Sequence, residues 1–583
     1  MLKRKFLSVF ALYALLLPGF AFAQTASSTG SATATVAAPA PFQAPKEVID
    51  RIKEEGSKNS QVMQTLSYLT DVIGGRLTNS PAMKRANEWT RDTMTKWGLQ
   101  NAKLEAWGPF GRGWSLKSFS AQIVSPQAFP VIAYPKAWSP STKGVVMSEV
   151  VHLDVKEDAD FAKYKGKLKD KIVMISAIRP LAELKDPLSV RHTDADLAKM
   201  VTDGEAAFQR QQQQSQTPRP QQAAQPQVQQ QMSPEMTARL KSFSMRLKSA
   251  NFLLEEGAAV IVDNSSIGSG GTLFVSSASV AQEVPANPME MFNRRNNLSA
   301  YQKEAEAKML PQITMATEDY NRLARMLRQG EKLKMSIDIQ AQYHDEDLMG
   351  YNTTAEIVGT DPKLKDEIVM LGGHMDSWHS STGATDNAAG VSVAMEAVRI
   401  LQTLGLKPRR TIRVGLWSGE EQGLHGSRNY VKQQFGEMIT PVAAPGTTPA
   451  RAELVKKPAY EKLSAYYNLD NGTGKIRGVY QQGNAAVAPI FKVWLEPFKD
   501  MGATTLTIAN TGGTDHLAFD AVGLPGFQFI QDEVEYDTRT HHSNQDNFDR
   551  IQAEDMKQAA TIMAAFVYQT AMMDEKIPRK TMR

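Results

Sequence analysis

From about residue 336 the chain falls into a pattern that leaves few folds open. Apolar, β-prone runs alternate with amphipathic helical stretches: 367–371, then 391–404, then 411–417. A continuous apolar strand is one buried on both faces, and its alternation with helices is the signature of an α/β unit. The expected fold class is therefore α/β, with a central, mostly parallel sheet flanked by helices. In such sheets, ligands gather where the strands end at their carboxyl termini. The residues just past each apolar run are the ones to read for chemistry.

Those residues are rich in metal-binding types. The stretch 367–390 (EIVMLGGHMDSWHSSTGATDNAAG) carries a strand into Gly372 and Gly373, followed by His374 and Asp376. One ring nitrogen of His374 suits a metal, and the Asp376 carboxylate suits the other nitrogen. Asp386 precedes a helix expected from about Ala388, where a carboxylate can bridge two cations. The next strand runs into Ser418, Gly419, Glu420 and Glu421. Such a pair of acids can divide into one ligand and one general base; by itself it also reads as a solvated acidic turn. A third apolar run, 463–471, reaches Asp470, and His542 follows the run 526–530. Singly, a strand-end Asp reads as a helix cap and a lone His as a satisfied polar group. Together, two imidazoles and at least three carboxylates at successive strand ends suit zinc in an open coordination sphere.

The motifs GGHMDSW with GATDNAAG (372–390), WSGEEQGLHGS (417–427), NLDN (468–471) and HHSNQD (541–546) resemble the co-catalytic zinc aminopeptidase family. That family includes bacterial leucyl aminopeptidases and plasma glutamate carboxypeptidase, a carboxypeptidase Q-like branch to which the likeness is strongest. The stretch IGGRLTNSPAMKRANEWT (73–90) resembles the family's opening helices. The resemblance implies two zinc ions: His374 and Asp470 on one, Glu421 and His542 on the other, and Asp386 bridging, with a cis peptide between Asp386 and Asn387. It makes Glu420 the general base and proton donor. It places Asp515 and His516, in GGTDHLAF (512–519), near the substrate, a helix cap at Asp515 being the alternative. Asp546 is expected to orient the His542 loop. His379, His425 and His541 are read as neighbours of the ligands in sequence only. The implied reaction is hydrolysis next to the free N-terminus of peptides, or of dipeptides. A carboxypeptidase on the same site and a non-catalytic, receptor-like relative are the alternatives. The branch also implies a homodimer.

The remainder bounds the setting. Residues 1–23 read as a signal peptide, with Lys3, Arg4 and Lys5, an apolar run and Ala21-Phe22-Ala23 ahead of cleavage, so a secreted or periplasmic protein is expected. Of the formal charge of +4, three units lie in that segment, so bulk charge gives no reason to expect nucleic-acid binding. No membrane partner is expected once the signal is removed. Without cysteine, disulfides, thiolate metal sites and cysteine nucleophiles are excluded. Residues 24–44 read as a flexible linker, and 45–125 with 336–583 as the peptidase domain. Residues 126–335 read as a separate β-rich unit, which the resemblance makes an inserted protease-associated domain forming a lid or wall over the cleft. Within it, the Gln/Pro-rich stretch 209–232 is expected to be a disordered insertion.

Overall fold

The computed structural model describes residues 41–216, 233–285, 297–441 and 451–580. The expected signal peptide, most of the linker and most of the Gln/Pro-rich stretch lie outside these residues.

The main sheet has eight strands, in the order Gln100–Trp107, Gly350–Ile357, Thr411–Trp417, Ile368–His374, Leu463–Asn468, Gly526–Gln531, Ile476–Tyr480 and Thr505–Thr507. Its middle is parallel: Ile368–His374 pairs in parallel with both Thr411–Trp417 and Leu463–Asn468, which in turn pairs in parallel with Gly526–Gln531. Every residue of Ile368–His374 is buried. Its side chains alternate between two apolar layers, as a pleated strand requires. Val369 and Leu371 pack with the helices Ala389–Thr403 and Ala553–Met572, while Ile368 and Met370 pack with Trp417, Tyr430, Tyr466 and Phe519. The helix Ala553–Met572 is buried along almost its whole length. The four parallel strands thus end side by side, with their carboxyl ends at one edge of the sheet.

A second eight-stranded sheet runs in the order Phe129–Pro130, Gly113–Ser125, Lys334–His344, Val146–His152, Ile172–Met174, Val260–Asn264, Gln312–Met315 and Ala133–Pro135. Boundaries at 126 and 335 would cut this sheet. Gly113–Ser125 pairs with Lys334–His344 along almost its full length, so both strands belong to the second sheet and a division by sheet falls near 113 and 344. A helix also runs into the first part of the 209–232 stretch. The helix Asp194–Gln216 continues through its first glutamines, residues with good helix propensity when no proline interrupts them.

Candidate metal centre

His374 is the last residue of its strand, and Glu420, Asp470 and His542 lie beyond the ends of the neighbouring parallel strands. Asp386 stands in the turn that opens the helix Ala389–Thr403, and its peptide bond to Asn387 is cis. The fold brings the five expected ligands together. His374 Nε2 lies 3.1 Å from Asp386 Oδ1 and 3.4 Å from Asp470 Oδ2. His542 Nε2 lies 3.2 Å from the other oxygen of Asp386 and 2.8 Å from Glu421 Oε2. Asp386 therefore offers one oxygen to each of two groups of donors. Glu420 stands over the first group, its Oε2 4.0 Å from His374 Nε2.

The donor set fits a metal. His374, Asp386, Glu421 and Asp470 are all buried at their side chains. Asp386 Oδ2, Glu421 Oε1 and Asp470 Oδ1 have no hydrogen-bond partner. Buried carboxylate oxygens without donors are costly, and cations are what such oxygens ordinarily meet. Burial and the neighbouring Asp386 push Glu421 up to about 7. Burial disfavours the charged form of both imidazoles, yet the carboxylates around His374 and His542 outweigh it and hold both well above the usual histidine range.

Several partners differ from those expected. His374 Nδ1 donates to the backbone carbonyl of Asp376 at 3.0 Å, while the Asp376 carboxylate is 3.7 Å away, too far for a hydrogen bond. That carboxylate is taken up elsewhere. It accepts from Thr78 Oγ1 at 2.9 Å and from the backbone N–H groups of Glu420 and Glu421, each at 3.2 Å. Asp376 thus fixes the turn carrying both acids rather than the imidazole. Asp515 and His516 have no exposed surface, and Asp515 lies close enough to Glu420, His374 and Asp470 to interact with them electrostatically. Asp515 begins its short helix without capping it, and both of its carboxylate oxygens are unpartnered. Burial raises it to about 7. Asp546 accepts from the backbone N–H groups of Thr385 at 2.5 Å and Asp386 at 3.1 Å, so it holds the Asp386 turn. His541 is close in space as well as in sequence. Its ring lies 3.8 Å from that of His542, and its Nε2 is 3.7 Å from Asp386 Oδ2. His379 and His425 are engaged away from the metal donors, His379 with the carbonyl of Pro135 at 2.8 Å and His425 stacked on Trp107.

Other contributors escaped the sequence reading. Arg76, fully buried, donates to the carbonyls of Leu69, Gly74, Met375, Thr382 and Gly383 and so ties the opening helices to both loops of the site. The Asn387 amide bridges Leu469 O and the N–H of Gly390. Phe274 and Trp378 flank His542, with ring centroids 5.4 and 5.9 Å away. Arg76 lies inside the 73–90 stretch and could have been suspected there; Phe274 lies in a stretch without periodicity.

A family model, Peptidase family M28, matches residues 352–567, which hold all five donors and Glu420. The likeness to peptidase family M28 thus takes in the whole candidate site. Carboxypeptidase Q of Mus musculus is 30% identical over 271 residues, covering 46% of this chain and 52% of that protein. Aminopeptidase YwaD of Bacillus subtilis is 27% identical over 220 residues, 36% of this chain and 43% of its own. The chain thus spans about half the length of the carboxypeptidase Q relatives it matches. The likeness in fold extends further. A solved Peptidase M28 precursor from Shewanella amazonensis superposes over 92% of this chain and 99% of its own, with a TM-score of 0.58 at 21% identity. A solved zinc aminopeptidase from Bacillus subtilis covers 89% of this chain and 96% of its own, with a TM-score of 0.50 at 17% identity. The mixed α/β fold with large helix-flanked sheets is shared with these solved structures.

Proposed function

We propose that the chain is a two-zinc exopeptidase that hydrolyses the peptide bond beside a free N-terminus, in peptides or in dipeptides. The observation that carries this reading is the Asp386 carboxylate, with one oxygen facing His374 and Asp470 and the other facing His542 and Glu421. His374 and Asp470 would hold one zinc, Glu421 and His542 the second, and Asp386 both. Zinc, when bound, supplies Lewis-acid charge for the scissile carbonyl and acidifies water. Glu420 accepts the proton of the attacking water and returns it to the departing amine nitrogen. It is suited to this because its backbone is fixed by Asp376 while its carboxylate reaches toward His374. The unit built on the second sheet is the inserted protease-associated domain, and its Phe274 contributes to the wall of the cleft.

Two experiments test the reading. Glu420→Gln should retain zinc while turnover falls by at least roughly 100-fold, the usual loss on removing a general base. Near-parental turnover would remove Glu420 from that role. A panel of peptides with free and blocked amino termini separates the aminopeptidase reading from a carboxypeptidase one: cleavage of the blocked peptides alone would overturn the requirement for a free amine. A purified protein without zinc would leave only a non-catalytic relative.

A further inference from the structure

The loop that presents His542, residues 532–547, is gripped from two sides by segments of the β-rich unit. The first strap follows the second sheet's strand Val260–Asn264. Buried Ser265 donates its backbone N–H to Met315 O at 2.9 Å, and its hydroxyl accepts the N–H of Phe274 at 2.9 Å. Ala137 and Ser276–Ala278 exchange two further backbone bonds. So fastened, the strap reaches the His542 loop. Val275 N donates to the carbonyl of His542 itself at 3.1 Å, and Asn544 N donates to Leu273 O at 3.1 Å. The Asn544 side chain completes the contact, accepting from Leu273 N at 2.8 Å and donating to Gly271 O at 3.2 Å.

The second strap holds the loop's beginning. Val190 and Val534 exchange a reciprocal pair of backbone bonds at 2.7 and 2.8 Å. Arg191 spans Asp532 and Asp555, and His192 N donates to Asp532 Oδ1 at 3.0 Å. His542 itself has φ +56°, a left-handed conformation that a non-glycine residue holds when its surroundings impose it. The turn closed by Ser543 N donating to Thr540 O at 3.0 Å sets His542 in that conformation, and the strap contacts at its carbonyl and at Asn544 fasten the turn to the β-rich unit.

We propose that the β-rich unit is part of the metal-binding machinery, its two straps holding the His542 loop so that Asn544 and Val190 act as positioning residues for the second metal. This rests on the zinc reading above. It departs from the view of the unit as a wall over the cleft, because it makes ion affinity depend on contacts distant from the ion. Outer partners that orient a ligand are typically worth roughly 10–100-fold in metal affinity.

The test uses the full-length protein. Zinc affinity is measured by competition with a chromophoric chelator in the parent, Asn544→Ala, Asn544→Asp and Val190→Pro, with Val455→Ser on an exposed hairpin as control. Both Asn544→Ala and Val190→Pro should weaken one of two bound zinc ions roughly 10–100-fold and leave the other near its parental affinity. Asn544→Asp, which keeps the acceptor for Leu273 N, should recover part of the loss, and Val455→Ser should lose none. Absorption of the cobalt-substituted protein should change for one ion only, a signature that general destabilisation would not give. Parental zinc affinity in either folded variant overturns the proposal; if one strap variant does not fold, the other and Asn544→Asp decide. Equal weakening of both ions also overturns it. A parent that binds no zinc would instead overturn the reading of the centre itself.

Discussion

Gly390→Ala sets two opposed effects against each other at one atom. Gly390 is the second residue of the helix Ala389–Thr403, where alanine is worth about 1 kcal/mol over glycine by intrinsic propensity. The structure reverses that sign. A Cβ there would enter the van der Waals envelope of the Leu469 carbonyl oxygen and lie 2.5 Å from Asn387 Oδ1 and 2.8 Å from Asn387 Nδ2. Overpacking of this kind costs about 1–3 kcal/mol. Moving Asn387 also breaks its bond to Leu469 O at 2.9 Å and the one it accepts from Gly390 N at 3.0 Å, each worth about 1 kcal/mol net. The balance is a destabilisation of about 2–4 kcal/mol. Because Leu469 precedes Asp470 and Asn387 follows Asp386, zinc affinity should fall with it. Ser392→Ala is the control on the same helix. Its buried hydroxyl has no partner, so its removal should be neutral or mildly stabilising. Urea unfolding followed by tryptophan fluorescence, with zinc titration of the same samples, gives both quantities. A Gly390→Ala midpoint at or above the parental one, with zinc affinity unchanged, would refute the close-approach argument.

Three further outcomes follow from the site's geometry. Asp376→Asn should lower turnover by roughly 10–100-fold, as expected when a group that positions the base is spoiled, while zinc affinity stays near parental because His374 leans on the backbone carbonyl; a large loss of zinc would show that the carboxylate serves the imidazole after all. Burial holds His379 down at about 4, so its neutral form contributes stability in full above its unfolded value, and that stability is lost as pH falls from about 6.5 toward about 4. The parent should accordingly lose up to about 1.4 kcal/mol per pH unit more than His379→Gln over that window, taken as a difference so that the metal ligands cancel; parallel curves would refute it. Chelation should lower the melting temperature and zinc should restore it, since an ion that binds only the folded state stabilises it by mass action; a melting temperature indifferent to chelator would count against a metal in this cluster.

The peptidase half was legible where burial on both faces wrote itself into composition. The run 368–371 and Thr411–Trp417 read as central strands, and the residues past their ends converge as a parallel sheet requires. Partnerships were less legible than positions. Asp376 sits two residues from His374, which suggests a carboxylate–imidazole pair, but the nearer acceptor is its carbonyl, and the carboxylate meets Thr78, some 300 residues away in sequence. The extent of the second sheet was hidden for a similar reason. Gly113–Ser125 and Lys334–His344 are half-exposed strands that find each other across more than 200 residues, and nothing local in either announces its partner. The straps at 188–192 and 271–275 have no periodicity at all, so only tertiary contact reveals them.

The arrangement around Asp386 also bears on how many ions the site is built to hold. The two imidazoles stand on opposite sides of that carboxylate, and each has a second carboxylate of its own, Asp470 for His374 and Glu421 for His542. An ion on the His374 side would leave Glu421 Oε1 buried without a donor, and an ion on the His542 side would leave Asp470 Oδ1 in the same state. Arg76, a buried cation beside the loops, spends its guanidinium hydrogen bonds on carbonyls. Isolated buried carboxylates are among the most expensive groups a fold can carry. Among the described residues no lysine or arginine contacts either carboxylate, so the pair of zinc ions proposed above would supply the charge that each side of the Asp386 bridge lacks.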